Sequence, residues 1–272
     1  MRALRFAFIS IASVLGVLYV IFLVVVYFGQ ESIIFHANKL PPDYKYEFQQ
    51  PFEEMKITAD DGKNLNGVLF KTEKSRGAVL YLHGNAGSID HWGRIAPDYA
   101  ASGYDLMILD YRGYGKSDGD IDTEAQFLGD VSAAYNALAK RYENIVIVGY
   151  SIGTGPSAYL ASKYNPSALV LQAPYYNLIE IADSRVPFVP DFLKKYRFET
   201  NLFLPKVKCP VYIFHGTDDQ LISFSNGERL HKLMPDGQSQ LFPLEGVGHG
   251  GINQDYKFLS ELKVILDKAA EN

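Results

Sequence analysis

The sequence predicts an α/β fold, a mostly parallel sheet with helices on both faces, preceded by one transmembrane helix. Three observations carry this expectation. Short, near-continuous apolar runs alternate with helical segments through most of the chain. An uncharged apolar stretch near the N-terminus is long enough to cross a bilayer. The apolar runs end in glycine, serine, histidine and aspartate, where ligands bind in open α/β sheets.

The apolar stretch comes first. Positions 6–28 hold 20 apolar residues in 23, interrupted only by Ser10, Ser13 and Gly16, with no charge between Arg5 and Glu31. As a helix it spans about 35 Å, against about 30 Å for a bilayer core. A cleaved signal peptide has about 7–15 apolar residues followed by small ones. This run ends in Val26, Tyr27 and Phe28, so an uncleaved anchor over 1–29 is expected. Arg2 and Arg5 precede it and the next basic residue is Lys39, which keeps the N-terminus cytoplasmic and puts the remainder outside. The absence of an Asn-x-Ser/Thr acceptor with an allowed middle residue favours a bacterial inner membrane, with the remainder on the periplasmic side.

Composition narrows the remainder. The chain has 272 residues, 47% apolar and 21% charged, with a net charge of −5. It is long enough for a large buried core and too apolar for a disordered chain. With 26 basic against 31 acidic residues it lacks the basic surface that nucleic acid binding requires. Cys209 stands alone, excluding an intramolecular disulfide framework and a Cys-rich zinc site. The expected organisation is the anchor, a juxtamembrane segment over 30–51 containing Pro41 and Pro42, and one catalytic unit over 52–272.

Residues 53–59 and 64–71 flank Asp60-Asp61-Gly62, which is hairpin chemistry. Runs at 77–82, 104–109, 144–148, 168–172, 209–214 and 239–244 suit strands buried on both faces. Between them 123–142 reads as a helix, with Thr123 as N-cap and Phe127, Val131, Ala134, Tyr135 and Leu138 on one face. Further helices are expected near 91–102, 152–163, 223–233 and 254–269.

The run at 144–148 leads directly into Gly149-Tyr150-Ser151-Ile152-Gly153, and a helix follows. This is a nucleophile elbow, in which glycines permit close backbone approach and a sharp turn projects the serine hydroxyl above the sheet. Gly115-Lys116-Ser117-Asp118-Gly119 fits the same pattern but has neither strand before it nor helix after it, so Ser117 reads as a loop residue. A serine needs a base, and the base needs an orienting carboxylate, in the chain order Ser, Asp, His. His249, in a glycine-rich loop after the last strand, is the base candidate. The same loop satisfies G-x-G-x-x-G, but too little chain follows Gly251 for a dinucleotide-binding unit. The carboxylate is expected from Asp218 or Asp219, between which spacing does not choose. His83-Gly84-Asn85-Ala86-Gly87 follows an early strand and suits the loop that donates one oxyanion N–H, from Asn85 with Ala86 second. Ile152, next to the nucleophile, supplies the other, and His83 itself reads as a structural residue. No H-E-x-x-H or comparable cluster occurs, so neither metal nor cofactor is called for.

HGNAG at 83–87, DYRGYGKSDG at 110–119, GYSIGTG at 149–155, HGTDDQLI at 215–222 and GHGG at 248–251 together resemble the α/β-hydrolase superfamily. With the anchor and QESIIFHANKLPPDY at 30–44, the chain is similar to membrane-anchored α/β-hydrolase-domain serine hydrolases related to serine aminopeptidases and monoacylglycerol lipases. The resemblance implies Asp219 as the triad acid. It also implies a small cap, here about 174–208. The apolar residues of that cap, Phe188 and Phe192 among them, and the anchor favour acyl-lipid-like esters or thioesters. A peptidase or amidase would use the same triad and recognise a peptide amine through Glu180, Asp183 or Asp191. A non-catalytic anchored binding protein would need a degraded triad.

Overall fold

The computed structural model describes residues 1–271. Helix α1 spans Arg2–Ile34. Its large apolar side chains from Phe6 to Phe28 are mostly exposed, and it is long and apolar enough to cross a membrane. The helix does not stop where the apolar run ends. It continues through Gln30 and Glu31, which find partners on a later part of the chain: Gln30 donates to the Leu193 carbonyl at 2.8 Å and accepts from the Lys195 N–H at 2.9 Å. The segment expected as a connector over 30–51 therefore begins as five further helical residues.

Eight strands among the described residues form one sheet: β1 Phe52–Thr58, β2 Asn64–Phe70, β3 Ala78–Leu82, β4 Asp105–Leu109, β5 Ile145–Tyr150, β6 Ala168–Gln172, β7 Val211–Gly216 and β8 Ser239–Leu244. Their spatial order is β8-β7-β6-β5-β3-β4-β2-β1, with β2 antiparallel to both neighbours and every other pair parallel. The hairpin expected around Asp60 to Gly62 is β1–β2. Alternation along the strands sorts side chains between two cores: Ala78, Leu80 and Leu82 belong to one, Val79 and Tyr81 to the other. Burial on both faces explains why the runs are continuous rather than alternating in polarity.

The helices of six or more residues after α1 are α2 Ala96–Ala101, α3 Glu124–Ala139, α4 Thr154–Tyr164, α5 Leu178–Arg185, α6 Ser225–His231 and α7 Tyr256–Ala269. Those of α3, α4 and α6 cover one face of the sheet, and α2 and α7 the other. Thr123 caps α3 by accepting from the Gln126 N–H at 3.1 Å, and Phe127, Val131, Ala134, Tyr135 and Leu138 form its buried face. The helix expected at 91–102 is broken into Ile89–Trp92, a tight turn at Gly93–Ile95, and α2. Pro97 has no N–H with which to continue a single ladder. Cys209 is buried, and burial pushes its thiol up to about 12.

Candidate active site

The site is assembled where β3, β5, β7 and β8 end. At the end of β5 the chain turns through Ser151, whose φ of 53° lies in the left-handed region. That conformation costs a non-glycine residue about 1–3 kcal/mol and persists because its surroundings enforce it. The two flanking glycines are steric necessities. A Cβ on Gly149 would lie 2.4 Å from Ser157 Oγ, and one on Gly153 would lie 2.1 Å from the Leu82 carbonyl oxygen. Without side chains there, α4 packs directly against the end of β3 and the serine is held at the top of the sheet.

His249 Nε2 lies 2.9 Å from Ser151 Oγ, and its Nδ1 lies 2.7 Å from Asp219 Oδ2. Of the two adjacent aspartates, Asp219 is buried and faces the imidazole, whereas Asp218 is exposed. Asp219 Oδ1 accepts the Leu221 and Ile222 N–H groups at 2.8 and 2.9 Å. Burial would raise its pKa, but hydrogen bonds from His215, His249 and the Ile222 N–H outweigh it and hold the carboxyl well below the usual range. His215 Nε2 sits 3.5 Å from Oδ2 and donates to the Ile222 carbonyl at 2.8 Å. The loop bearing His249 is drawn onto the sheet at Gly216, where a Cβ would lie 2.1 Å from the Val247 carbonyl oxygen. Tyr150 donates its hydroxyl to the His249 carbonyl.

Asn85 and Ile152 line the cavity in front of Ser151. The Asn85 carbonyl accepts from the His36 N–H at 2.9 Å and the Tyr114 hydroxyl at 2.8 Å, while its own N–H has no acceptor among the described residues. His83 is buried beneath this loop against Tyr111, and its Nδ1 donates to the Gly84 carbonyl at 2.7 Å. Burial pushes the His83 pKa down to about 4 and that of neighbouring Asp110 up to about 8, in both cases favouring the neutral form. Ser117 lies away from this line. Its hydroxyl donates to the Asp110 carbonyl at 2.6 Å and accepts from the Asn66 N–H at 2.8 Å, pinning one loop to β2.

The cavity has a volume of about 390 Å³ and a largely aliphatic lining. It is walled by α1, by the long connection between β6 and β7, and by the Ser151 turn. Glu180, Asp183 and Asp191 in that connection are each ion-paired: Glu180 with Arg229 at 2.6 Å, and the two aspartates with Lys194. The sequence reading missed the contribution of α1. A segment apolar on every side carries no periodicity to mark which face meets the protein.

The sequence matches the family model described as "alpha/beta hydrolase fold" over residues 77–204. It is 34% identical over 205 residues to human alpha/beta hydrolase domain-containing protein 17B, covering 71% of this chain and 67% of that protein. The chain belongs to the α/β-hydrolase superfamily. A Xenopus tropicalis relative, alpha/beta hydrolase domain-containing protein 17C, is 34% identical over 209 residues, and the match spans 73% of this chain and 64% of the relative's length. Among solved structures, an esterase of Pyrococcus furiosus superposes with a TM-score of 0.70 at 17% identity, covering 86% of this chain and 97% of that one. An esterase from Exiguobacterium antarcticum gives 0.60 at 20% identity, covering 81% and 100%. These superpositions show a shared strand and helix framework.

Proposed function

We propose that this α/β-hydrolase is a membrane-anchored serine hydrolase that cleaves carboxylic ester or thioester bonds of acyl-lipid-like substrates. The observation that carries the reading is the unbroken hydrogen-bonded line from Ser151 through His249 to Asp219. Ser151 Oγ attacks the acyl carbonyl as His249 Nε2 takes its proton, and the Asp219 carboxylate stabilises the imidazolium. The Asn85 and Ile152 N–H groups stabilise the oxyanion. His249 then protonates the departing alcohol or thiol, leaving an acyl-serine. Water repeats the sequence with His249 as base and releases the acid.

Three features support an acyl substrate: the aliphatic lining of the cavity, the apolar helix beside it, and the engagement of Glu180, Asp183 and Asp191 in ion pairs that leaves no free carboxylate among them for a peptide amine. Arg2 and Arg5 before α1 support a cytoplasmic N-terminus with the catalytic unit, 52–272, outside and the cap over about 174–208 above Ser151. A fluorophosphonate probe on membrane fractions tests the reading. Labelling is expected in the wild type and absent in Ser151→Ala; undiminished labelling of that variant would overturn it.

A further inference from the structure

We propose that the last three turns of α1 form one wall of the acyl-binding pocket, so that the substrate's acyl chain lies against the membrane helix and enters from the bilayer side. This rests on the serine hydrolase reading above. Val26, Gln30, Ile33 and Ile34 all line the cavity that ends at Ser151. Their spacing, i, i+4, i+7 and i+8, puts them on a single helical face. Over these residues the helix rises about 12 Å, which carries the cavity from the serine into the apolar run that ends at Phe28.

The wall is fixed to the protein by side chains that an anchor alone would not need. Gln30 is buried and exchanges hydrogen bonds with Leu193 and Lys195. Glu31 pairs with Lys195 and accepts from the Tyr196 hydroxyl, both at 3.0 Å. At the helix end, the Ile34 carbonyl accepts from the Asn85 side-chain amide at 3.2 Å. Deeper along α1, Tyr19 donates to the Phe188 carbonyl at 2.6 Å. Tyr19 is about 22 Å below Ile34 along the helix axis, inside the apolar run. The β6–β7 connection therefore descends beside α1, and its Phe188 and Phe192 rings are 75% and 82% exposed. Large apolar rings flanking a membrane helix belong in hydrocarbon rather than water. Pocket and bilayer are continuous along α1, and the substrate that fits is a long-chain acyl ester or thioester resident in the membrane.

The test uses the full-length protein in phosphatidylcholine nanodiscs. The ratio of kcat/KM for p-nitrophenyl palmitate to that for the butyrate is measured in wild type, Val26→Trp and Val25→Trp. Val25 is outside the pocket lining and 64% exposed. Val26→Trp is expected to lower the ratio tenfold or more, while Val25→Trp leaves it within twofold. An unchanged ratio in Val26→Trp, or an equal fall in both variants, would overturn the proposal. A second measurement needs no substitution: a fluorophosphonate with a long alkyl chain ending in a diazirine is attached to the wild type and photolysed. Crosslinks are expected on the peptide covering residues 19–34. Labelling of Ser151 with crosslinks only elsewhere would overturn the α1 wall and leave the hydrolase reading intact, whereas failure to label Ser151 would overturn both.

Discussion

The side-chain amide of Asn85 donates to the Ile34 carbonyl at 3.2 Å, so the loop expected to hold an oxyanion is tied to the end of α1. In the proposed mechanism the Asn85 side chain acts by positioning its own backbone N–H. Asn85→Ala keeps that N–H and the bonds to the Asn85 carbonyl but removes the tie to Ile34, and a misplacement of about 1 Å costs catalysis about 100-fold. Steady-state kinetics on p-nitrophenyl butyrate should show kcat down about 10- to 100-fold with KM changing less. Asn85→Asp, which cannot donate, should match Asn85→Ala; a wild-type kcat in either would contradict this role.

The two adjacent aspartates separate by environment. Asp219→Asn removes the anionic partner of the His249 ring and should lower kcat by about 10⁴-fold. Asp218→Asn changes an exposed carboxylate and should stay within about twofold. Parallel kcat measurements on the two variants decide the assignment, and equal losses would refute it.

Ser151 pays for its position with a left-handed backbone. Ser151→Ala and Ser151→Gly both remove the hydroxyl, but only glycine removes the steric cost of φ 53°. Calorimetry should find Ser151→Gly more stable than Ser151→Ala by about 1 kcal/mol, a difference of about 2–4 °C in Tm. The reverse order would show that the turn is not strained.

Gly153 and Gly250 offer a paired test of packing. A methyl group at Gly153 meets the Leu82 carbonyl, whereas at Gly250 it meets nothing within 4 Å. Gly153→Ala should therefore lose soluble, folded protein or fall well below wild type in Tm, and Gly250→Ala should melt within a degree or two of it. Comparable melting of the two variants would mean that α4 stands off β3.

Asp110 gives the fold a pH dependence of known sign. Its pKa is raised from the ordinary carboxyl value to about 8, with burial the main cause, so the folded state holds a proton that the unfolded state releases above about pH 4. Its stabilising contribution is full below about pH 4 and declines until about pH 8. His83, with its pKa lowered to about 4 by burial, acts oppositely, its contribution falling as pH drops below the unfolded value near 6.5. Between pH 6.5 and 8 the Asp110 contribution changes more than that of His83, because the unfolded imidazole is already half or more neutral there while the unfolded carboxyl is fully ionised. Thermal melts should show Tm falling across that interval in the wild type and a shallower fall in Asp110→Asn. Equal slopes would refute a buried neutral carboxyl.

Much of this was legible in the sequence because burial leaves distinct marks. The strand at 168–172 falls where the apolar run is, since a strand covered on both faces tolerates no polar alternation, whereas the edge strand at 239–244 buries only Ser239 and Leu244 and is the weaker run, broken by Gln240 and Pro243. Ser151 and His249 were legible from glycine context and chain order. Spacing could not separate Asp218 from Asp219, because neighbouring residues on an extended segment face apart and only the three-dimensional loop decides which meets the imidazole. Gln30 was invisible for a different reason. It reads as the first polar residue after an apolar run, and its partners Leu193 and Lys195 lie more than 160 residues away.

The separation of 98 positions between Ser151 and His249 has a consequence for the order of synthesis. The nascent chain carries its serine elbow long before it carries an imidazole, and His249 follows β8, the edge strand that joins the sheet last in sequence. Until that edge closes on β7, the serine lacks the imidazole proposed as its base. On the proposed triad, a ribosome-bound or C-terminally clipped chain would hold most of the strands yet lack the base that its serine needs.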